Sequence, residues 1–412
     1  MALNYIWISF FVIAFIIAFC KLVFLGDTEA FKLLVDGIFD SSKSSVMDIA
    51  LPLVGAMAFW LGIMRIGEKA GAINFLSRIV GPFFHRLFPE VPKNHPAAGS
   101  MMMNFSANLL GLDNAATPLG LKAMESLQTL NEDKETASNP QIMFMVLHAS
   151  GLTILPISII AQRAIMHSKD PSDIFIPCII ATYVAALVGL LVVAVKQKIN
   201  LWDKVIIGWL LGLTSFIALL VAYLTLFLNK QQISDFSKVA SNLMLFSIPV
   251  IFIVGGFFKK VNVFEAFIEG AKGSFDISVR IIPYLVAMLV AIGIFRTSGA
   301  LMYIGLGFKW IFSHFNMDTR FTEVLPIALM RPLSGSGARA MMLDNMKVFG
   351  VDSFVGHLSS VLYGAADSSF YIAALYFGSV GVKKLRYAIP AALISDLAGV
   401  IAAIFVGYLF FG

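Results

Sequence analysis

This chain of 412 residues has little charge: 13% Asp, Glu, Lys and Arg against 58% hydrophobic residues. Soluble domains carry about 25% charged residues, so a water-exposed globule is excluded. Cysteine is nearly absent. Cys20 and Cys178 both lie in apolar runs, which leaves no disulfide framework and no cysteine metal site. The N-terminus lacks a basic segment and a small-x-small cleavage site, and Phe19 before Cys20 argues against lipoprotein processing. The first apolar run therefore reads as a retained helix. No His-Glu-x-x-His, Cys-x-x-Cys or phosphate-binding Gly-Lys-Ser/Thr motif occurs, and no cofactor or metal is expected.

What the chain does have is long apolar runs. Ile6 to Phe19, Ile174 to Val195, Leu210 to Leu228 and Ile389 to Phe411 approach or exceed the roughly 20 residues that cross a hydrocarbon core of about 30 Å. Such runs recur along the whole length, so the expectation is an all-α polytopic membrane protein with no separate soluble domain. Its net charge of +5 sits in short clusters beside apolar runs, as cytoplasmic loops require. The lipid bilayer is the partner this implies; nucleic acid is not.

The sequence also repeats itself. Glu29-Ala30-Phe31, Gly37 and Phe39-Asp40 return as Glu265-Ala266-Phe267, Gly273 and Phe275-Asp276. Pro52, Gly62 and Arg65 parallel Pro283, Gly293 and Arg296, and Val146-Leu147 parallels Val361-Leu362. Ile176-Pro177 parallels Ile389-Pro390, each opening a final hydrophobic helix. The expected organisation is a first repeat over 1–200, a linking transmembrane helix within 201–237, and a second repeat over 238–412. Lys196, Lys198 and Lys204 close the last helix of the first repeat, whereas Lys383, Lys384 and Arg386 open the last helix of the second. If both clusters are cytoplasmic, equivalent helices run in opposite directions, with the N-terminus inside and the C-terminus outside. Inverted repeats with broken or re-entrant helices are a transporter architecture; a parallel duplication with a structural role is the alternative. The stretches Asp27 to Ser45 and Val263 to Ser278 read as amphipathic helices lying in the interface.

Two polar interruptions occupy corresponding places: Met101 to Gly120 and Ala328 to Met346. Each begins apolar, breaks at Gly, Ser, Asn or Pro, and resumes. Irregular backbone at membrane depth is tolerated where it is buried in protein or lines a wet cavity, and paired breaks of this kind point to a substrate site. Pro118 suits a first helical turn that Asn114 or Thr117 would cap, and such an N-terminus attracts anions. The candidate substrate-binding residues are Asn104, Asn108, Asp113, Asn114 and Thr117 in the first copy. In the second they are Arg331, Ser334, Ser336, Arg339, Asp344 and Asn345. Intramembrane charge is costly and faces a partner or a pore. Either an Arg holds an anionic solute, or Asp113 and an Arg form an ion pair stapling the repeats; alternatively, Lys122 and Arg339 snorkel to the interface. The next helix of each repeat carries His148 with Thr153, and Asp367 with Ser368 and Ser369. These are candidates for a coupling ion or proton, although a lone His is more often a hydrogen-bonded core residue.

At these residues the chain resembles known families. Its first half is similar to spore maturation protein A through Asn108-Leu-Leu-Gly-Leu-Asp-Asn-Ala-Ala-Thr-Pro-Leu-Gly-Leu-Lys-Ala-Met124. Its second half is similar to spore maturation protein B through Arg331-Pro-Leu-Ser-Gly-Ser-Gly-Ala-Arg339, Asp367-Ser-Ser-Phe-Tyr371 and Tyr376-Phe-Gly-Ser-Val-Gly-Val-Lys-Lys384. The whole resembles a fusion of the two. Asp-Ser-Ser stands where relatives often show Asp-Thr-Thr, which keeps the hydroxyls. The resemblance implies the nucleoside recognition, or gate, domain, a transporter-like fold and the bacterial cytoplasmic (inner) membrane. Relatives with this domain often form oligomers, so a homo-oligomer is an implied partner. The functional expectation is a secondary transporter or permease for a small polar or anionic solute. The alternatives are a structural or regulatory envelope protein and a flippase for a lipid-linked molecule. An enzyme is not expected: Ser334-Gly-Ser-Gly337 with His357 as base lacks the leading Gly of intramembrane serine proteases, since Leu333 stands there.

Overall fold

The computed structural model describes the chain apart from residues 1, 93, 94, 110–112, 154, 229, 301, 302, 304, 305, 308, 309, 311–313 and 315–317. The described residues are helical, without a β-strand. The first repeat runs α1 (Ala2–Leu25), α2 (Ala30–Ser44), a π-helical segment (Ser45–Ala50), α3 (Leu51–Ala70), α4 (Ala72–Leu87), α5 (Pro96–Leu109), α6 (Asp113–Leu130), α7 (Asn139–Ala149), α8 (Ile157–Ile165) and α9 (Phe175–Lys196). Helix α10 (Lys204–Phe227) follows, where the linking helix is expected. The second repeat runs α11 (Lys230–Phe258), α12 (Val263–Ser298), a 3-10 turn (Arg320–Val324), α13 (Leu325–Met330), α14 (Gly335–Phe349), α15 (Phe354–Gly364), α16 (Ser369–Ser379) and α17 (Ala388–Phe411). The expected boundary at 237 lies inside α11.

Among the described residues, four helical stretches are long and apolar enough to cross a bilayer: Trp7–Leu25, Phe175–Lys196, Lys204–Leu224 and Ala388–Phe411. Phe175–Lys196 is mostly buried within the protein, whereas the other three present large apolar side chains at the surface. Phe15, Phe216, Leu219, Ile401 and Phe405 are all exposed, as lipid-facing positions must be in a protein solvated by hydrocarbon.

Equivalent helices pack antiparallel against each other. A Cβ on Gly62 of α3 would lie 2.5 Å from the Phe267 ring near the start of α12, and one on Gly293 near the end of α12 would lie 2.7 Å from Ser41 Oγ on α2. Likewise the Ser395 hydroxyl of α17 donates to the Ala185 carbonyl of α9, and a Cβ on Gly399 would meet the Ala185 side chain at 3.1 Å. Small residues at these crossings let the helices approach closely.

The loops sort the two ends. At one end Gln197, after α9, donates to the Asn139 carbonyl, and Arg386, before α17, donates to the Asn139 side chain and the Ala137 carbonyl. The backbones of 135–137 and 383–384 are also joined. Both basic clusters therefore share one face, where α9 ends and α17 begins. At the other end the loop 166–174 meets 351–352 through Arg163, Ser168 and Asp352. The 22 residues of α9 span about 33 Å between these ends.

The amphipathic stretches differ from the expectation. Neither is a separate helix. Helix α2 passes through Ser45–Ala50 into α3, and α12 is continuous over 36 residues, about 54 Å at helical rise. The first repeat is five residues longer between its Glu-Ala-Phe motif and its proline. The π-helical segment lies in that interval, and the chain passes through it without breaking the helix.

Candidate site where interrupted helices meet

Two helices stop part-way. Helix α7 starts at the basic face with a capping box between Ser138 and Gln141 and ends after 11 residues. Helix α15 starts at the opposite face, where Ser353 accepts the Gly356 N–H, and also ends after 11 residues. Each is about 16 Å long, half of a hydrocarbon core, so the two interruptions meet at mid-depth. The Asp367 N–H donates to the Ala149 carbonyl at 3.0 Å. Gly151 has a φ of +63°, and a Cβ there would lie 3.3 Å from the Ala366 carbonyl carbon. Glycine is needed both for the left-handed backbone and for the crossing.

Two hairpins bring the polar stretches to the same level. Helices α5 and α6 return to one face, since His95 beside α5 meets Thr129 near the end of α6. The second hairpin is α13 with α14, and Asn345 of α14 donates to the Glu323 carbonyl preceding α13. The helix–break–helix form expected from Ala328 to Met346 is thus present; in Met101 to Gly120 two helices pair as expected, and residues 110–112 between them lie outside the described residues.

Around the second hairpin's turn, Arg331 Nε donates to the Tyr363 carbonyl at 2.8 Å, and its guanidinium stands 4.4 Å from the Tyr363 ring centre. Its Nη1 donates to Ser368 Oγ at 3.3 Å and lies 3.4 Å from Asp367 Oδ1. The Arg331 side chain is 11% exposed, whereas that of Asp367 is 44% exposed. The acid is the accessible member of the pair. Ser334 caps α14 by accepting the Gly337 N–H and lies 3.2 Å from Ser336 Oγ. A Cβ on Gly335 would sit 2.8 Å from Ser368 Oγ, so this N-terminus is packed against the break. Arg339 donates to the Tyr363 hydroxyl. Ser369 opens α16 and donates to Asp396 of α17.

The first hairpin makes a different cluster. His148 Nδ1 lies 2.8 Å from Asn108 Nδ2, 3.1 Å from Asn104 Oδ1 and 3.0 Å from the Tyr376 hydroxyl. Asn104 also donates to the Ala116 carbonyl, tying α5 to α6. Tyr376 stacks on Phe144 and fits over Gly120, where a Cβ would lie 1.9 Å from the phenol oxygen. A residue of the second repeat thereby completes the polar core of the first.

Other expected site residues lie elsewhere or play local parts. Asp344 pairs with Arg296 at 2.5 Å, and Asn345 accepts from Arg296 while donating to Ser359. They line a small cleft with Phe10, Glu323 and Ile327, about 14 Å along α14 from its first turn. Thr153 donates to the nearby Gly151 carbonyl, and Thr117 is half-buried. The side chains of Asp113 and Asn114 lie outside the described residues, so the stapling pair proposed for Asp113 does too; the described acid at Arg331 is Asp367, from the same repeat. Lys122 is exposed. His357 bonds Asp173 and the Ser353 carbonyl, and Ser334 is engaged in its cap. Among the described residues no group of three His, Cys, Asp or Glu side chains is placed to hold a metal.

Sequence reasoning passed over Asp396, Arg163 and Tyr376 as site residues. Asp396 and Arg163 carried a signal, each being a charge in an apolar helix. Tyr376 carried one too, since it opens a stretch that carries the resemblance to spore maturation protein B.

Comparison with known proteins matches the nucleoside recognition (gate) domain to residues 50–166 and 278–383, together more than half of the chain. This chain belongs to the nucleoside recognition family. The two matched segments fall one in each repeat and include both hairpins and both interrupted helices. Within the family, the chain is 38% identical to spore maturation protein A of Bacillus subtilis (strain 168) over 189 residues, 46% of this chain and 92% of that protein. It is 45% identical to spore maturation protein B of the same organism over 173 residues, 41% of this chain and 96% of that protein. No solved structure matches.

Proposed function

We propose that this multi-pass membrane protein is a secondary transporter or permease for a small polar or anionic solute, bound where the interrupted helices cross. The observation that carries this reading is the exposed Asp367 carboxylate against the nearly buried Arg331 guanidinium. An anionic group able to replace Asp367 beside Arg331 would gain the guanidinium and lie near the first turn of α14. The family and its transporter-like breaks support the same reading. The protein sits in the cytoplasmic membrane with its shared basic face inside, which puts the N-terminus in and the C-terminus out. It acts without chemistry on the solute.

The test is binding followed by flux. Purified protein is screened by thermal shift against nucleosides, nucleotides, dicarboxylates and amino acids, since a ligand of the native state raises the melting temperature. Hits are then assayed for uptake into proteoliposomes. A hit lost in Arg331→Gln with retained folding is expected. Solute flux that survives Arg331→Gln and Asp367→Asn unchanged would place the pathway elsewhere.

A second reading, a non-transporting envelope subunit, is favoured by one observation. Asn104, Asn108, His148 and Tyr376 satisfy one another, so the first-repeat polar stretch acts as a clasp between repeats. It predicts that Arg331→Gln and Asp367→Asn leave the cellular phenotype intact while the protein folds.

A further inference from the structure

Asp396 lies near the middle of α17 among apolar and small residues, and is 4% exposed. Its Oδ2 accepts the Ser369 hydroxyl at 2.7 Å. Its Oδ1 is buried and has no hydrogen-bond partner. One turn along the same face of α17, Gly399 lets the Ala365 carbonyl come within 2.8 Å of where a Cβ would stand. The buried carboxylate therefore holds the hydroxyl that opens α16, and the carbonyl that closes α15 packs on the same face of α17 one turn away.

Arg331 pairs with Asp367 rather than bonding Asp396, and Arg339, over the same Tyr363 ring, donates to the Tyr363 hydroxyl. The other titratable groups on neighbouring helices are engaged elsewhere. His148 on α7 is held by Asn104, Asn108 and Tyr376. On α9, Cys178 packs at Gly364 and Tyr183 bonds Thr214. His357 on α15 bonds Asp173, and Asp235 on α11 is exposed. A buried carboxylate with an unsatisfied oxygen is costly unless a positive charge joins it.

We propose that Asp396, with the Ser369 hydroxyl and the Ala365 carbonyl, forms a binding site for one monovalent cation, a proton or a sodium ion. The cation neutralises the buried carboxylate and ties α17 to the start of α16. This site stands apart from solute transport: it would be occupied in a scaffold as well, and failure to find a solute leaves it untouched.

The experiment is thermal unfolding of the purified full-length protein across sodium concentration, with choline holding ionic strength, and across pH at fixed sodium. Wild type, Asp396→Asn and Ser369→Ala are compared. If the ion is sodium, the wild-type melting temperature climbs with sodium and that of Asp396→Asn does not. If it is a proton, wild type is indifferent to sodium but loses stability as the pH rises, and Asp396→Asn lacks that loss. Ser369→Ala keeps the charge and removes a ligand, so its sodium or proton midpoint shifts by about threefold to tenfold; this variant decides the matter if Asp396→Asn does not fold. Identical responses of wild type and the folded variants to both ions overturn the proposal.

Discussion

Replacing Arg163 by Met should unlock one end of the molecule. Arg163 is 0% exposed. Its Nη2 reaches Asp173 Oδ1 at 3.0 Å, Ser168 Oγ at 3.1 Å and Asp352 Oδ1 at 3.2 Å, and its Nη1 donates to the Val351 carbonyl at 3.0 Å. These contacts join α8 and the loop 166–174 of the first repeat to the α14–α15 turn of the second. Removing one member of a buried ion pair costs about 3–5 kcal/mol, because its partner is left uncompensated. Here the two acids are 19% and 29% exposed and can rehydrate, so the lower bound, about 3 kcal/mol, is the better figure. At roughly 2–4 °C per kcal/mol for a large domain, the melting temperature should fall by about 6–12 °C. Intrinsic-fluorescence melting in detergent measures it. The control is Lys383→Ala, which breaks an exposed pair with Glu135 and should cost under about 1 kcal/mol. If Arg163→Met melts with the control, the buried cluster contributes nothing beyond an apolar filling and the reasoning fails.

The same lock responds to acid. Burial works to raise the Asp352 carboxyl, but the Lys169 N–H, the Ser168 hydroxyl and Arg163 together hold it below its ordinary 3.8. A depressed carboxyl stabilises the fold above its unfolded value and loses that contribution as the pH falls through the folded one. Hydrogen exchange of the Lys169 amide, corrected for intrinsic rate, should therefore stay protected as the pH falls to 3.8 and lose protection only further into acid; protection already lost above pH 3.8 counts against the lock. Gly151→Ala forces a left-handed alanine and should cost about 1–2 kcal/mol in a melting experiment, with any equal or greater stability refuting the crossing. Gly120→Ala should unfold or severely destabilise the protein through Tyr376, and adding Tyr376→Ala should recover part of the loss; strict additivity of the two would show that they do not touch.

Much of the architecture was legible because hydrocarbon solvent acts locally on the chain. A run such as 388–411 is apolar over nearly its whole length, Ser395 and Asp396 apart, whatever it packs against, so its length alone marks a span. The interruptions were visible for the same reason, since Asn, Ser and Gly in such runs carry a cost that only structure or function offsets. Chemistry at a distance was not visible. Arg331 had several acids to choose from, and the described partner is Asp367, 36 positions along the chain. Asp344, placed beside Arg331 by its stretch of sequence, turns instead to Arg296 because a 15-residue helix carries it away from the break. The amphipathic stretches looked like surface helices because their own composition is mixed; each is carried through by an antiparallel partner that composition does not reveal.

The sequence by itself thus determined the solvent, the duplication, the relative direction of the repeats and the places where helices stop, all of which follow from hydropathy, charge and turn chemistry along short windows. Tertiary structure decided which breaks cross, which charges pair and which carboxylate is left facing the 365–368 interruption without a full set of partners. Those outcomes depend on side chains from α7, α15, α16 and α17 arriving at one depth in the membrane, and the packing of helices far apart in the chain sets that meeting point.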